Sequence, residues 1–194
     1  NNKLNPFIAH KQKVNKYFNH EERTHTNRVV QRFRLRQLFI DDYELHNEIT
    51  LFLRRGYSSK GFQRYSEILK SIKNDPLLKQ ELASSDMAGL ITLLRSLRSK
   101  KHSQRVLKSN EPSHTIVTIP DDLIHYDKSQ SRVLTVRESA RIQSFPDRFV
   151  FLGKATTGGH LREIEAPQYT QVGNAVPPLV GLFWGRVITK ILKK

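Results

Sequence analysis

The sequence predicts an α+β fold. It reads as a basic, mainly helical first stretch, then a small mixed α/β part, then a final helix too apolar to end in water. Three observations predict this. Apolar residues recur at helical spacing between residues 27 and 97. A β-branched run, Thr115-Ile116-Val117-Thr118-Ile119, stops at Pro120 as a strand does. Past Pro177 and Pro178, the residues Leu179, Leu182, Phe183, Val187 and Ile191 form one apolar stripe.

Taken in order, residues 1–25 are polar and read as a loop. From Asn27 to Phe39, Val29, Val30, Phe33 and Leu38 lie near one helical face. Leu45 to Leu53 is short and fits either helix or strand. Gly56 to Gly61 breaks structure. Tyr65, Ile68, Leu69 and Ile72 then return to helical spacing, and Asp75-Pro76 starts a turn. Leu90, Ile91, Leu94 and Leu97 mark a core helix over Met87 to Leu97. After the strand at 115–119, Thr135-Val136-Arg137-Glu138 has the spacing of a capping box. There a hydroxyl bonds the amide three residues on, and the Glu reaches back. A short helix should follow through Gln143 and stop before Pro146. Val150-Phe151-Leu152 is a second short strand candidate, and Gly153 to Gly159 a loop. From Asn174 the pattern turns helical, with both prolines in the first turn, where a missing amide is tolerated. Such a helix is not stable alone and needs a partner surface. The parts divide as 1–110, 111–172 and 173–194.

Charge narrows the function. Of 194 residues, 33 are Lys or Arg and 18 Asp or Glu, a net charge of +15. Residues 1–110 hold 22 of the basic and 10 of the acidic side chains, so most of the field belongs to them. That points to a polyanionic partner. Clusters such as Arg32-Phe33-Arg34-Leu35-Arg36, Arg54-Arg55 and Arg95 to Arg105 offer phosphate-pairing donors near aromatics. No stretch approaches 18 uninterrupted apolar residues, and no membrane helix is expected. The start at Asn1, without an initiator Met or a signal-peptide pattern, suits a fragment of a cytoplasmic protein.

Catalytic chemistry is sparse. There is no phosphate loop and no His-Glu-x-x-His pattern. The eight histidines (10, 20, 25, 46, 102, 114, 125 and 160) lack metal-ligand spacing, so no metal is expected. Asp121-Asp122 follows Pro120 and reads as a turn rather than an acid/base pair. With no cysteine, the chain has neither disulfides nor a thiolate nucleophile. Residue chemistry alone ends at a basic nucleic-acid-binding domain.

Two segments go further. Residues 132–147 read Arg-Val-Leu-Thr-Val-Arg-Glu-Ser-Ala-Arg-Ile-Gln-Ser-Phe-Pro-Asp, and residues 171–178 read Gln-Val-Gly-Asn-Ala-Val-Pro-Pro. In order and separation they resemble the last two conserved blocks of the DNA (cytosine-5) methyltransferases. Thr115-Ile116 and Pro120 to His125 look like the end of the target-recognition region in one bacterial subgroup, and Asn19-His20 through Arg32-Phe33 like its lead-in. Residues 40–105 match no motif, as a variable reader of sequence would. The family's glycine-rich block, Pro-Cys block and Glu-Asn-Val block are missing.

The resemblance implies a fold: a helical target-recognition region, a small mixed support part, and a C-terminal helix that packs on a Rossmann-like catalytic domain missing from this chain. It implies methyl transfer from S-adenosylmethionine to C5 of a flipped cytosine in duplex DNA, within a restriction-modification system of a bacterium. No catalytic residue would lie here, because the family's nucleophile is a cysteine. The chain would need its N-terminal catalytic domain or subunit. Gly173, Asn174, Ala175 and Val176 would approach the cofactor's carboxylate end, helped by free amides at a helix N-terminus. Thr115 and Arg132 would meet backbone phosphates; Arg54, Arg55, Arg95, Arg98, Lys100, Lys101 and Arg105 would contact phosphates or base edges. Thr135, Arg137 and Glu138 would give structural support. Two alternatives stand beside this: a non-catalytic nucleic-acid-binding module or degenerate remnant of a methyltransferase, and a basic structural or RNA-binding protein.

Overall fold

A computed structural model describes residues 17–56, 62–101, 103–157 and 159–193. Seven α-helices and one two-stranded sheet are found among them. The helices are α1 (Asn27–Leu38), α2 (Tyr43–Arg55), α3 (Tyr65–Lys73), α4 (Met87–Ser96), α5 (Val136–Ile142), α6 (Gln168–Asn174) and α7 (Pro178–Leu192). The strands are β1 (Arg105–Val106) and β2 (Leu123–Ile124). Two compact units emerge. A helical unit comprises Thr24–Pro112 and Leu123–Val133; a C-terminal unit comprises residues 17–23, Ser113–Asp122 and 134–193. Neither unit is one continuous stretch of sequence.

In the helical unit, α1 to α4 bury their apolar faces in one core, with Leu35, Ile49, Ile68, Ile72, Leu90 and Leu94 almost wholly enclosed. The ambiguous segment at 45–53 is helical because Asp42 accepts from the Leu45 amide (3.1 Å) and Gly56 closes the end in a left-handed conformation (φ 88°). Asp86 caps α4 in the same way through the Gly89 amide (2.8 Å). Gly89 cannot be replaced by a larger residue, since a Cβ there would lie 2.1 Å from the Ser84 carbonyl oxygen. The opposite side of α1 sends Phe33 into a second cluster with Val106, Ile124 and Val133. There β1 and β2 pair in parallel, Arg105 opposite Leu123 and Val106 opposite Ile124, and Ile124 bridges antiparallel to Val133. Gln37, fully buried, fixes the following turn. Its amide donates to the carbonyls of His125 (2.7 Å), Asp127 (3.1 Å) and Gln130 (3.2 Å) and accepts from the Ser131 hydroxyl (2.8 Å).

The C-terminal unit has a smaller core of Val136, Ala140, Phe145, Phe151, Tyr169 and Val172. The capping box at the start of α5 forms fully: Thr135 Oγ1 accepts from the Glu138 amide (3.2 Å), and Glu138 accepts from the Thr135 amide (2.8 Å). The two strand expectations here are corrected. Residues 115–119 and 150–152 run without ladder partners among the described residues. A strand needs a neighbour to take its backbone bonds. Phe151 finds that partner in a side chain instead: Asn19 accepts from its amide (3.0 Å) and donates to its carbonyl (2.9 Å). The end of the sequence is corrected as well. Asn174 closes α6 rather than opening α7, whose N-cap is Pro177. Taken as one span, Gln168–Leu192 is long and apolar enough to cross a membrane. Ala175 interrupts it in extended conformation (φ −75°, ψ 142°), and α7 has 15 residues. At 1.5 Å per residue α7 spans about 22 Å, short of a ~30 Å hydrocarbon layer.

Candidate functional site

Two regions hold the residues singled out in the sequence, one in each unit. In the helical unit, Arg54 and Arg55 occupy the last turn of α2 and Arg95 the last turn of α4, all exposed. The amide of Ser99 donates to the Leu53 carbonyl (3.3 Å), tying the chain after α4 to the end of α2. A Cβ at Gly56 would lie 2.7 Å from the Arg98 guanidinium carbon, so Arg98 lies against the α2 terminus. Lys100, Lys101 and Arg105 follow, also exposed. Cations at helix C-termini are favoured by the dipole, which explains part of this placement. It does not explain how many gather there.

The cluster Arg32-Phe33-Arg34-Leu35-Arg36 is corrected. Its arginines belong to the fold. Arg32 is buried and donates to the Leu97 (2.6 Å) and Arg98 (3.2 Å) carbonyls, closing the C-terminus of α4. Arg34 pairs with buried Asp75 (2.5 Å) and bonds the Lys128 carbonyl. Arg36 is buried against Thr50 Oγ1 (3.1 Å), with its Nε left unbonded among the described residues. Burial, then the charge of Arg32, lowers its pKa to about 10. Arg132 is corrected too: it is 8% exposed and holds the Gln130 side chain and the Val133 carbonyl. An arginine enclosed in this way is not presented to a phosphate.

In the C-terminal unit, two of the support residues, Thr135 and Arg137, are buried, and Glu138 is half-buried. Arg137 is fully buried, and its guanidinium donates to the carbonyls of Phe18 (3.0 Å), Pro146 (3.3 Å) and Phe149. Burial is the main cause that lowers its pKa. Its backbone amide bonds the Asn19 carbonyl (2.8 Å). Arg141 forks onto Asp147 (2.8 and 3.0 Å) and stacks over the Tyr17 ring (4.6 Å), and the Asp147 bond holds its pKa up. Thr115 is exposed.

The turn at 173–176 is built differently from its sequence reading. Gly173 is required by the chain itself, since a Cβ there would lie 2.7 Å from the Val117–Thr118 backbone. Asn174 and Val176 are exposed at the junction between α6 and α7. The expected free amides are mostly used. Pro178 has none, Leu179 donates to Ser144 Oγ (3.1 Å), and Val180 (2.9 Å) and Gly181 (3.1 Å) donate to the Pro177 carbonyl. Ser144 reaches its position through a left-handed backbone (φ 63°). No sequence signal marked Gln37; Asn19 and Ser144 lie inside the family-like segments, but nothing in them gave these two residues a role of their own. Among the described residues no group of three or more metal-ligating side chains occurs.

The model of the C-5 cytosine-specific DNA methylases matches residues 2–190. The chain belongs to this family. Relatives include the type II methyltransferase M.Bpa9945I of Bacillus paralicheniformis, 48% identical over 69 residues, 36% of this chain and 13% of that protein. M1.HphI of Haemophilus parahaemolyticus is 42% identical over 83 residues, 43% of this chain and 19% of that protein. M.DdeI of Desulfomicrobium norvegicum is 54% identical over 50 residues, 26% and 12%. The matched stretches therefore span less than a fifth of these relatives' length. No solved structure matches the chain.

Helix α7 is apolar yet uncovered among the described residues. None of its 15 residues is buried by the described residues. Phe183 (60%), Trp184 (56%) and Ile191 (65%) face outward on a helix that is apolar on nearly every side.

Proposed function

We propose that this chain is the target-recognition and C-terminal portion of a bacterial DNA (cytosine-5) methyltransferase belonging to a restriction-modification system. The nucleophilic cysteine and most of the cofactor pocket come from a separate stretch of protein. The observation that carries this reading is α7, an apolar helix uncovered among the described residues, in a family member whose sequence has no cysteine. An apolar surface of that kind marks an interaction site. Here its partner is the catalytic part.

The chain's own residues bind and orient. Arg54, Arg55, Arg95, Arg98, Lys100, Lys101 and Arg105 hold duplex DNA through its phosphates and read guanine edges where a guanidinium reaches the groove. Thr115 touches the backbone near the flipped nucleotide. Arg137, Thr135 and Glu138 fix the C-terminal unit so that the 173–176 junction keeps one shape. That junction fits one edge of an S-adenosylmethionine site: Asn174 offers an exposed amide, Ala175 an extended backbone and Val176 an exposed side chain. When bound, the cofactor supplies the methyl group. Fewer first-turn amides are open than the sequence suggested, so Asn174 contributes more to this edge than the helix dipole does.

Mixing the chain with its catalytic part on duplex DNA should produce methyl transfer that neither achieves alone. Activity no greater than that of the catalytic part by itself refutes the reading.

A further inference from the structure

The cations of the helical unit fall into groups by what they touch. Arg32, Arg34 and Arg36 are taken up by the fold. Arg64, Lys108 and Lys128 stand in ion pairs. Arg54, Arg55, Arg95 and Arg98 belong to the surface already proposed for DNA. Lys70 and Lys73 belong to none of these. They lie three residues apart on α3, both exposed, and neither holds an acceptor among the described residues. The carboxylates nearest in sequence are already engaged. Glu67 is paired with Arg64 (2.5 Å), and Asp75 is buried against Arg34 (2.5 Å).

The two lysines line one surface cleft with Tyr65, Ser66, Asn74 and Ser85, over the buried side chain of Leu69. Ser85 precedes Asp86, whose carboxylate is held by the Ser84 hydroxyl (2.6 Å) and the Gly89 amide (2.8 Å). The cleft therefore presents two ammonium groups, three hydroxyls and one carboxamide. The two ammonium groups, with hydroxyls beside them, suit the oxygens of a phosphodiester, and the cleft holds no guanidinium to read a guanine edge.

We propose that the α3 cleft is a second point where the helical unit meets the phosphate backbone of duplex DNA, with Lys70 and Lys73 as its cations. The proposal rests on the reading that this unit binds DNA, and it adds a surface that the sequence did not mark. Its role is positional: it lengthens the backbone track without adding sequence preference.

The test is fluorescence anisotropy of the 194-residue chain on two unrelated labelled duplexes across a salt series. Variants are K70Q/K73Q, the charge-keeping K70R/K73R, and R95Q/R98Q. All four positions are exposed, and circular dichroism checks the fold. Every phosphate that is no longer neutralised lowers the slope of log affinity on log salt by about 0.9, so K70Q/K73Q should flatten it by about 2. Binding should weaken equally on both duplexes, and K70R/K73R should restore it. If K70Q/K73Q keeps the parent slope while R95Q/R98Q flattens it, the cleft proposal fails and the broader reading stands. If neither pair changes the slope, the broader reading fails as well. Weakening confined to one duplex also overturns the phosphate assignment.

Discussion

Replacing Arg137 with Leu removes the donor for three backbone carbonyls, those of Phe18, Pro146 and Phe149, at a side chain with no exposure. Leaving one buried acceptor unpaired costs about 1–3 kcal/mol. The Pro146 carbonyl is buried and those of Phe18 and Phe149 are half-buried, so together they bring the gross loss to several kcal/mol, near the lower end of that cost for the latter two. Release from burying a guanidinium offsets part of this. A net loss of about 3–5 kcal/mol follows, as for other broken buried networks. Arg137→Lys should recover only part of it, because an ammonium lacks the planar fork that reaches separate carbonyls. Amide hydrogen exchange is the assay, since it reports local opening of α5 directly. At about 1.4 kcal/mol per tenfold change, protection of the α5 amides should fall by roughly two to three and a half orders of magnitude in R137L. A loss under one order would refute the reasoning. It would mean that water takes over the carbonyls and that the arginine is not what fastens residues 18–19 to the loop after Pro146.

Thr135→Ala removes one arm of the capping box and the hydrogen bond to His20 (2.9 Å), and should destabilise the C-terminal unit by about 0.5–2 kcal/mol in urea titration. Asn174→Ala should weaken cofactor binding in the reconstituted enzyme by calorimetry, while the affinity for DNA stays within about twofold; an unchanged cofactor Kd counts against the junction's role. Burial of His46, then the charge of Arg36, holds its pKa below the ordinary value of 6.5, and its Nδ1 lacks a partner among the described residues. As pH falls below about 6.5 the unfolded chain takes up a proton there before the folded one does, so stability declines with falling pH. His46→Gln should flatten that decline between about pH 7 and pH 5 in parallel urea titrations; identical pH profiles would exclude His46 as a contributor.

Local signals carried much of the fold. The helical spacing around Ile68, Leu69 and Ile72 and around Leu90 and Leu94 was legible, as was the capping box at Thr135, because each depends on residues within a turn. The segments that read wrongly depend on distant partners. Thr115 to Ile119 has strand composition but meets α6 at Gly173 rather than another strand. Helix α6 was not legible because Thr170, Gly173 and Asn174 are poor helix formers and Pro167 offers no capping side chain. Those residues are helical because Tyr169 and Val172 reach the core. In the candidate site, sequence marked where basic residues cluster but not which of them the fold encloses. Arg32, Arg36 and Arg132 look like surface cations until burial is known. The family blocks were legible because they are contiguous in sequence.

The chain crosses between its two units three times after leaving Arg23, returning to the helical unit for Leu123–Val133 alone. That return carries β2, the hydrogen-bonded mate of β1. Anyone grafting the helical unit onto another methylase by cutting at 23 and 112 would leave the mate behind. Such a chimera would expose the β1 edge and strip Phe33 of Ile124 and Val133, its neighbours on that side. The helical unit therefore travels as two segments, one long and one of eleven residues, and a transplant that moves only the long one should arrive misfolded.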